Sequence, residues 1–473
     1  MDSEYFKELK PYSGSNLKNI FGEKNFNELI NKRFLVKSDE DSKKFKNDCY
    51  KFRYVGMIIL KDIILNCYPK YISDDADYTN HFKEIIKVIK YFNDKYKQKK
   101  LKESIDYGIN NLEEMDFNLI SVMLFFIEDY YENGLYTKFQ DIFEINGNNE
   151  IDWNKTVNEN LAIIIDYNPY YTEFQTKSKF NNLFNYFRLL HEYIITDCSK
   201  YLENTGLLEI LGFTPVELSD KVLDDFGHKE IILNKLSKEL NVEFNTHKRI
   251  LLSLMYSYIK NKDSLTDENS LIVYGTKHYH VIWEDMLKDV FNDKLKCDLK
   301  ELFPDSLNEK YENYSTLESI IEKPRWILDE EKYDADKTLI PDIITFHTNE
   351  KGEKEFIIFD AKYYQYKLEG NKIYHQPGIG SVTKQYLYQF AYRKFIDLHD
   401  FDNVKNAFLL PSSNNGYKNK GCVILDLLSC VEWDESSKSY LKLEDIQVIL
   451  LPASKINKAY LNGKKIPICK LEL

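Results

Sequence analysis

The sequence lacks any C-x-x-C pair, and its seven cysteines (positions 49, 67, 198, 297, 422, 430 and 469) are an odd number. A fully paired disulfide framework and the common zinc sites are therefore excluded, and a reducing cytoplasm is the expected compartment. No run approaches the roughly 18 apolar residues of a membrane span, and the start, MDSEYFKELKPYSG, has no basic region followed by an apolar one. Neither a membrane protein nor a secreted one is expected. A G-x-x-x-x-G-K-[ST] loop is missing too, so any nucleotide hydrolysis must come from a separate protein. Nor is there a surplus of positive charge: 64 Lys and Arg stand against 76 Asp and Glu, a net charge of −12. Nucleic-acid binders are more often basic, but a local basic channel can hold phosphates on an acidic chain.

What is present is a chain of 473 residues, 43% hydrophobic and 30% charged, long enough for two or three domains with cores of their own. The runs 52–60 and 63–71 around Lys61-Asp62 read as a β-hairpin ended by Pro69, within a β-hairpin part at about 45–75. Helical spacing follows at 81–98, and a buried helix at 117–134 stops on Gly134. Asn146-Gly147 is a hairpin turn signal. A long helix near 180–202 holds His191-Glu192 without a second His four residues on, so a zinc-protease motif is excluded and a core or capping role is expected. The polar stretch 260–270 sets the domain boundary. Residues 1–262 form a mixed, mostly helical N-terminal half with β-hairpins, expected to dock a partner or associate with DNA; residues 266–473 form the second domain.

The chemistry concentrates in PDIITFHTNEKGEKEFIIFDAK, 341–362. Two β-rich runs around a polar, Gly-containing connection read as a hairpin symmetric about position 351, which sets Asp342 opposite Asp360 at its open end. Alternation along a strand puts Asp360 and Lys362 on one face, about 7 Å apart. Two carboxylates held that close repel unless a cation joins them. Mg²⁺ takes hard oxygen ligands, lowers the pKa of a bound water and neutralises charge on a phosphate. The pattern is thus one for phosphodiester hydrolysis, with Asp342 and Asp360 as metal ligands and Lys362 placing the water or the phosphate. Asp-x-Lys alone is a common solvated strand end; Pro341-Asp342 and the apolar Phe356–Phe359 run give it weight.

The flanks fit a helix–strand–hairpin–helix–strand order. A helix at about 279–295 has one apolar stripe (Ile282, Trp283, Met286, Leu287, Val290 and Phe291) with Glu284 at its edge. Residues 292–338 are an insertion or a first strand at 325–328. After the hairpin, Ser381 is the expected N-cap of a helix that buries Leu387, Phe390 and Ala391 and leaves Lys384, Gln385 and Tyr388 on another face. A strand at 406–410 ends at Pro411, and the runs 423–425 and 446–450 extend the sheet.

This arrangement resembles the PD-(D/E)XK nuclease superfamily and its αβββαβ core, within an α+β multidomain chain. Most of the chain resembles the LlaJI-type restriction endonuclease family, related to McrC-like nuclease subunits. The resemblance rests on RYVGMIIL…ILNCYPKY (53–71), EDYYENGLY…FEINGNNEIDW (128–153), NPYYTEF (168–174), IWEDML (282–287), LIPDIITF (339–346), FIIFDAKYY (356–364) and TKQYLYQFAY (383–392). It implies a Mg²⁺-dependent deoxyribonuclease of a restriction-modification system, cutting double-stranded DNA in antiviral defence, with one or two metal ions left open. It also implies a McrB-like AAA+ GTPase subunit and a cognate DNA methyltransferase. Carried over by position, Asp342, Asp360 and Lys362 are catalytic, with Glu284 a third carboxylate and Gln385 a helper. The alternatives are a repair or junction-resolving nuclease, and a non-catalytic regulatory subunit; the intact Asp-Asp-Lys set argues against the latter.

Overall fold

The computed structural model describes residues 2–38, 48–60, 63–106, 118–265, 271–370, 372–434 and 439–473. Its architecture is mixed α+β, with several separate sheets. Contacts divide the chain into two compact units. One holds 59–62 and 109–274; the other holds 2–58, 63–108 and 275–473. The expected division at 262–266 runs along a different line, because residues 2–58 and 63–108 pack with the C-terminal part. Among the described residues, no helix is long and apolar enough to cross a membrane.

The N-terminal strands are easily missed in the sequence. Asp2–Lys7 pairs in parallel with Ile63–Tyr68, more than fifty residues away, and only Phe6 of the six is buried. The strand Val55–Ile59 lies on the other side of Ile63–Tyr68, and Ile272–Thr276 completes this sheet. Both runs of the expected 52–71 hairpin are therefore strands, and almost all of their side chains are buried. They do not project. The Lys61-Asp62 turn lies outside the described residues.

Gly275 explains one close approach in that sheet. A Cβ there would sit 2.2 Å from the Val55 carbonyl oxygen and 2.7 Å from the Gly56 Cα, and its φ is +158°. Backbone cannot give way as a flexible side chain can.

In the unit of residues 109–274, Asn146-Gly147 is not the turn of a two-stranded hairpin. Phe139–Ile145 and Glu150–Ile151 pair with opposite edges of Gln175–Asn181. Asn146 is tied to that strand's entry, its N–H donating to Phe174 O and its Oδ1 accepting from Phe174 N, both at 2.8 Å. The longer strand competes for both ladders. His191 is fully buried in the helix Tyr186–Asn204, where its Nδ1 accepts from Tyr136 N at 3.2 Å; burial lowers its pKa to about 4, so it is a neutral core residue.

The largest sheet has five strands in the order Ile343–Thr348, Lys354–Ala361, Asn403–Ser412, Ile446–Pro452, Lys418–Val423. The first pair is antiparallel and the next two are parallel. Pro411 sits inside the third strand rather than stopping it. Leu409 O accepts from Lys362 N, so the same edge of Pro411 faces the side where the neighbouring strand has ended and no N–H is required. Arg325–Leu328 is not part of this sheet; among the described residues it pairs with Glu331–Asp334 in an exposed hairpin.

Helices cover both faces. Tyr279–Val290 buries five residues of the expected stripe, and the sixth, Phe291 just after the helix, is buried too and meets Phe359 at 5.5 Å. On the other face Ile344, Phe356 and Ile358 cluster with Tyr388, Tyr392 and Phe395 of the helix Ile379–Leu398. That helix buries the opposite face from the one expected: Gln385, Tyr388, Gln389 and Tyr392 are inside, whereas Leu387 and Phe390 are 37% and 43% exposed. The tyrosines bury their rings and satisfy their hydroxyls on backbone carbonyls, Tyr388 on Ile340 and Tyr392 on Leu317, each at 2.8 Å. Its N-cap is Gly378, three residues before Ser381.

Gly275→Ala should lower stability by about 1–3 kcal/mol, because the added methyl meets backbone. Thermal unfolding of the two proteins in parallel checks this, and an unchanged Tm would contradict it.

Candidate functional site

The hairpin is built around its turn. Asn349 Oδ1 accepts from Lys351 N and Glu353 N, each at 3.0 Å, and Gly352 takes φ +83°. The pairs run from Thr348↔Lys354 to Ile343↔Phe359, symmetric about 351 as expected. Alternate residues are buried against the two helix layers, so a slip of one residue would turn every apolar side chain to the wrong face. The register therefore holds Asp342 beside the end of the second strand. Its Oδ2 accepts from Ala361 N at 2.8 Å, and its side chain lies within hydrogen-bond reach of Asp360.

Asp360 is 6% exposed, and its Oδ2 receives Lys362 Nζ at 2.6 Å. Lys362 is held by its backbone N–H on Leu409 O at 2.9 Å, and its ammonium lies 5.8 Å from the Phe408 ring centre. The structure thus brings together Asp342, Asp360 and Lys362. Burial, followed by the hydrogen bond and charge of Asp360, raises the Asp342 carboxyl to about 7; the Ala361 N–H and Lys362 only partly oppose this.

Glu284 lies on the helix Tyr279–Val290, where Lys288 Nζ donates to its Oε1 at 2.5 Å. Burial pulls the Lys288 pKa down, but the hydrogen bond to Glu284 and the charges of Glu284, Asp342 and Asp293 leave it raised. Lys288, which the sequence reading missed, therefore lies in the field of Asp342. Its signal was the Glu→Lys spacing of four on one helix. The helix is anchored close by, with Trp283 Nε1 donating to Leu409 O at 3.4 Å and Asp293 Oδ1 accepting from Ile344 N at 3.0 Å.

Gln385 is fully buried. Its Nε2 donates to Asn406 Oδ1 at 2.6 Å and to Ile358 O at 3.2 Å, two residues before Asp360. Its amide nitrogen thus braces the Lys354–Ala361 and Asn403–Ser412 strands against each other. Tyr388 faces the carboxylates from the same helix; burial, and then the charges of Asp360 and Asp342, push its hydroxyl pKa up.

For a hard divalent cation the donor set is short but chemically suitable: two carboxylates pressed together in a half-dry site. Among the described residues, no three His, Cys, Asp or Glu side chains gather to hold a metal by themselves. A cation that keeps waters and takes one or two carboxylates fits this set.

Residues 54–454 match the LlaJI restriction endonuclease family. The chain belongs to that family. Within the matched stretch lie Glu284, Asp342, Asp360, Lys362 and Gln385. A Bacillus subtilis (strain 168) protein, the type II restriction enzyme BsuMI component YdjA, is 28% identical over 425 residues, covering 87% of this chain and 81% of that protein. A chain in a solved half-complex of Thermococcus gammatolerans McrB AAA+ hexamers with bound McrC is 12% identical with a TM-score of 0.37, over 98% of this LlaJI-family chain and 99% of that one.

The carboxylate pair makes a signed prediction for the metal-free protein. A folded pKa raised above the unfolded value means that the native state binds the extra proton. Stability from this group is then present at low pH and lost as pH rises from about 4 to about 7. Asp342→Asn keeps an acceptor for Ala361 N–H and removes the charge, so with a chelator at pH 8 it should gain on the order of 2 kcal/mol. Adding Mg²⁺ should raise the Tm of the wild type and not that of the variant. A lower Tm for the variant in chelator would contradict this account.

Proposed function

We propose that this chain is the DNA-cutting subunit of a restriction system, a Mg²⁺-dependent endonuclease with a PD-(D/E)XK-type core. One observation carries the reading: the fixed hairpin register holds Asp342, Asp360 and Lys362 at one strand end, with Asp342 accepting from Ala361 N–H and the buried Asp360 paired with Lys362. The order helix 279–290, hairpin 343–361, helix 379–398, strand 403–412 supports the core assignment.

Asp342 and Asp360 would hold the metal. When bound, Mg²⁺ supplies a water of lowered pKa and stabilises charge developing on the scissile phosphate. Two carboxylates match one ion completed by waters and substrate oxygens better than a pair of ions. Lys362 gives up part of its hold on Asp360 and orients the attacking water or a phosphate oxygen. Glu284, held by Lys288, would serve as an outer carboxylate. Gln385 is a positioning residue, holding the strand that ends in Asp360.

With no nucleotide loop of its own, the chain would work with a McrB-like AAA+ GTPase, and a cognate methyltransferase would protect host DNA. The unit of residues 109–274 has the surface for such docking. It exposes Trp153, Ile163, Ile164, Tyr167, Tyr170 and Phe184, each more than half exposed. A patch of that kind marks a protein contact. The docking element would therefore be this region rather than the buried 52–71 strands.

Asp360→Ala and Lys362→Ala should each cut DNA about 10²–10⁴-fold more slowly with Mg²⁺ and partner present, with the fold retained by circular dichroism. Glu284→Gln should lose less than either. A variant at Asp360 or Lys362 cutting at the wild-type rate would overturn the assignment. For docking, Ile164→Asp with Tyr167→Asp should abolish co-elution with the GTPase and any stimulation of its GTP turnover, while leaving this chain's Tm unchanged. Unaltered co-elution would place the contact elsewhere.

A further inference from the structure

The acidic chain hides a basic groove. A cavity of about 720 Å³ opens beside the N-terminal strands, lined by Lys7, Lys10, Lys37, Lys51, Arg53 and Lys70. A second, of about 520 Å³, shares Glu8, Leu9, Val36 and Arg53 with the first and adds Arg33 and Lys277. Together they present eight basic residues against two acidic ones, Glu8 and Asp74, on a chain whose net charge is −12. All of these residues lie in one compact unit.

The two acids are already engaged. Asp74 pairs with Lys7 at 3.4 Å and Lys10 at 3.3 Å. Glu8 accepts from Tyr363 OH at 2.5 Å and from Lys70 N at 3.2 Å. Arg33, Lys37 and Arg53 are exposed, and none has an ion-pair partner among the described residues. Lys277 is fixed in place, donating to Lys32 O at 2.7 Å with its ammonium 4.2 Å from the Phe34 ring centre. Like charges gathered without compensation cost free energy, and a polyanion removes that cost.

The groove also leads to the site. Tyr363 directly follows Lys362 and anchors on Glu8; Lys70 Nζ sits 4.4 Å from its ring centre and 5.8 Å from that of Tyr364. Tyr364 and Gln365 line the first cavity, so it begins within two residues of Lys362. Leu9, Pro11, Val36 and Tyr364 supply apolar lining beside the six basic side chains of this cavity. Six cations along one groove match the regular negative charge of a phosphate backbone.

We propose that this groove holds the sugar–phosphate backbone of the duplex that the hairpin residues cut. The inference rests on the nuclease reading but concerns different residues. Lys7, Lys10, Lys37, Lys51 and Arg53 all precede the stretch that matches the family. Phosphate contacts fix register without reading sequence. The N-terminal strands thus place the DNA, and recognition of the sequence lies elsewhere.

The test uses the full-length protein in chelator, so that nothing is cut, and the anisotropy of a fluorescein-labelled 30-base-pair duplex over a range of KCl concentrations. The triple variant Arg33→Gln/Lys37→Gln/Arg53→Gln removes only exposed groups, and its Tm is measured alongside. Its affinity should fall about 10–100-fold, and the slope of log K on log salt should flatten by up to about 3, at roughly 0.9 per lost phosphate contact. The control Lys351→Gln/Lys464→Gln/Lys470→Gln, with the same loss of charge on exposed positions, should bind as the wild type does. The inference is overturned if the wild type does not bind the duplex, if the triple variant binds within twofold of wild type, or if the control loses as much. Tighter binding of duplex RNA of equal length would also overturn DNA as the occupant. Restoring Mg²⁺ and the partner separates the two readings. If wild type and triple variant bind and cut alike, the groove falls and the nuclease stands. If the triple variant alone loses binding and neither protein cuts, the groove stands and the nuclease falls.

Discussion

Two carboxylates that would not choose to be neighbours are made so by the register of one hairpin. Asp342 and Asp360 meet because Ile343 pairs with Phe359 and every pair below follows from the Asn349–Gly352 turn. The apolar side chains of both strands are committed to the helix layers on the two faces, so the hairpin cannot slip to relieve the repulsion. Part of it is relieved by Lys362, 2.6 Å from Asp360, and part by the Ala361 N–H. Burial first, and then the remainder of that repulsion, show in the raised Asp342 carboxyl. A fold that spends stability to keep charges together has made a place for an opposite charge, and this is the physical content of the proposed metal site.

The surrounding elements serve that strand end. Leu409 O receives both the Lys362 N–H and the Trp283 indole, so one carbonyl ties the strand end at Lys362 to the helix behind it. Gln385 ties the hairpin's second strand to its parallel neighbour from the opposite face. Removing either brace would loosen the geometry without touching Asp342, Asp360 or Lys362, and mutational effects at such positions should be read as positioning effects.

The hairpin and its register were legible because they depend on local alternation and a turn of known chemistry. The stripe of the helix Tyr279–Val290 was legible too, since Trp, Ile, Leu, Met and Val leave no doubt about which face is buried. The helix Ile379–Leu398 was read backwards: tyrosine and glutamine count as polar by composition, yet Tyr388, Tyr392 and Gln385 are buried, with both hydroxyls satisfied on backbone and the Gln385 amide nitrogen on Asn406 and Ile358 O. The strand Asp2–Lys7 was not legible, because its partner Ile63–Tyr68 is distant in sequence and it pairs at an edge. The same non-local pairing brings Lys7, Lys37 and Arg53 to one groove. Net charge said nothing of it, since a sum over the chain averages away local sign. Glu284 and its role rested on a helix edge, and the structure adds the partner, Lys288, that the reading lacked.

The most direct test of the central claim is to locate the metal rather than to follow the reaction. Fe²⁺ replaces Mg²⁺ in the full-length protein, and ascorbate with peroxide then generates hydroxyl radicals that cut the polypeptide beside the bound ion. The account predicts cleavage confined to the backbone around Asp342 and around Asp360 to Lys362, competed by Mg²⁺ and absent from Asp360→Ala. Cleavage centred on any other acidic cluster, or an identical pattern in Asp360→Ala, would contradict it.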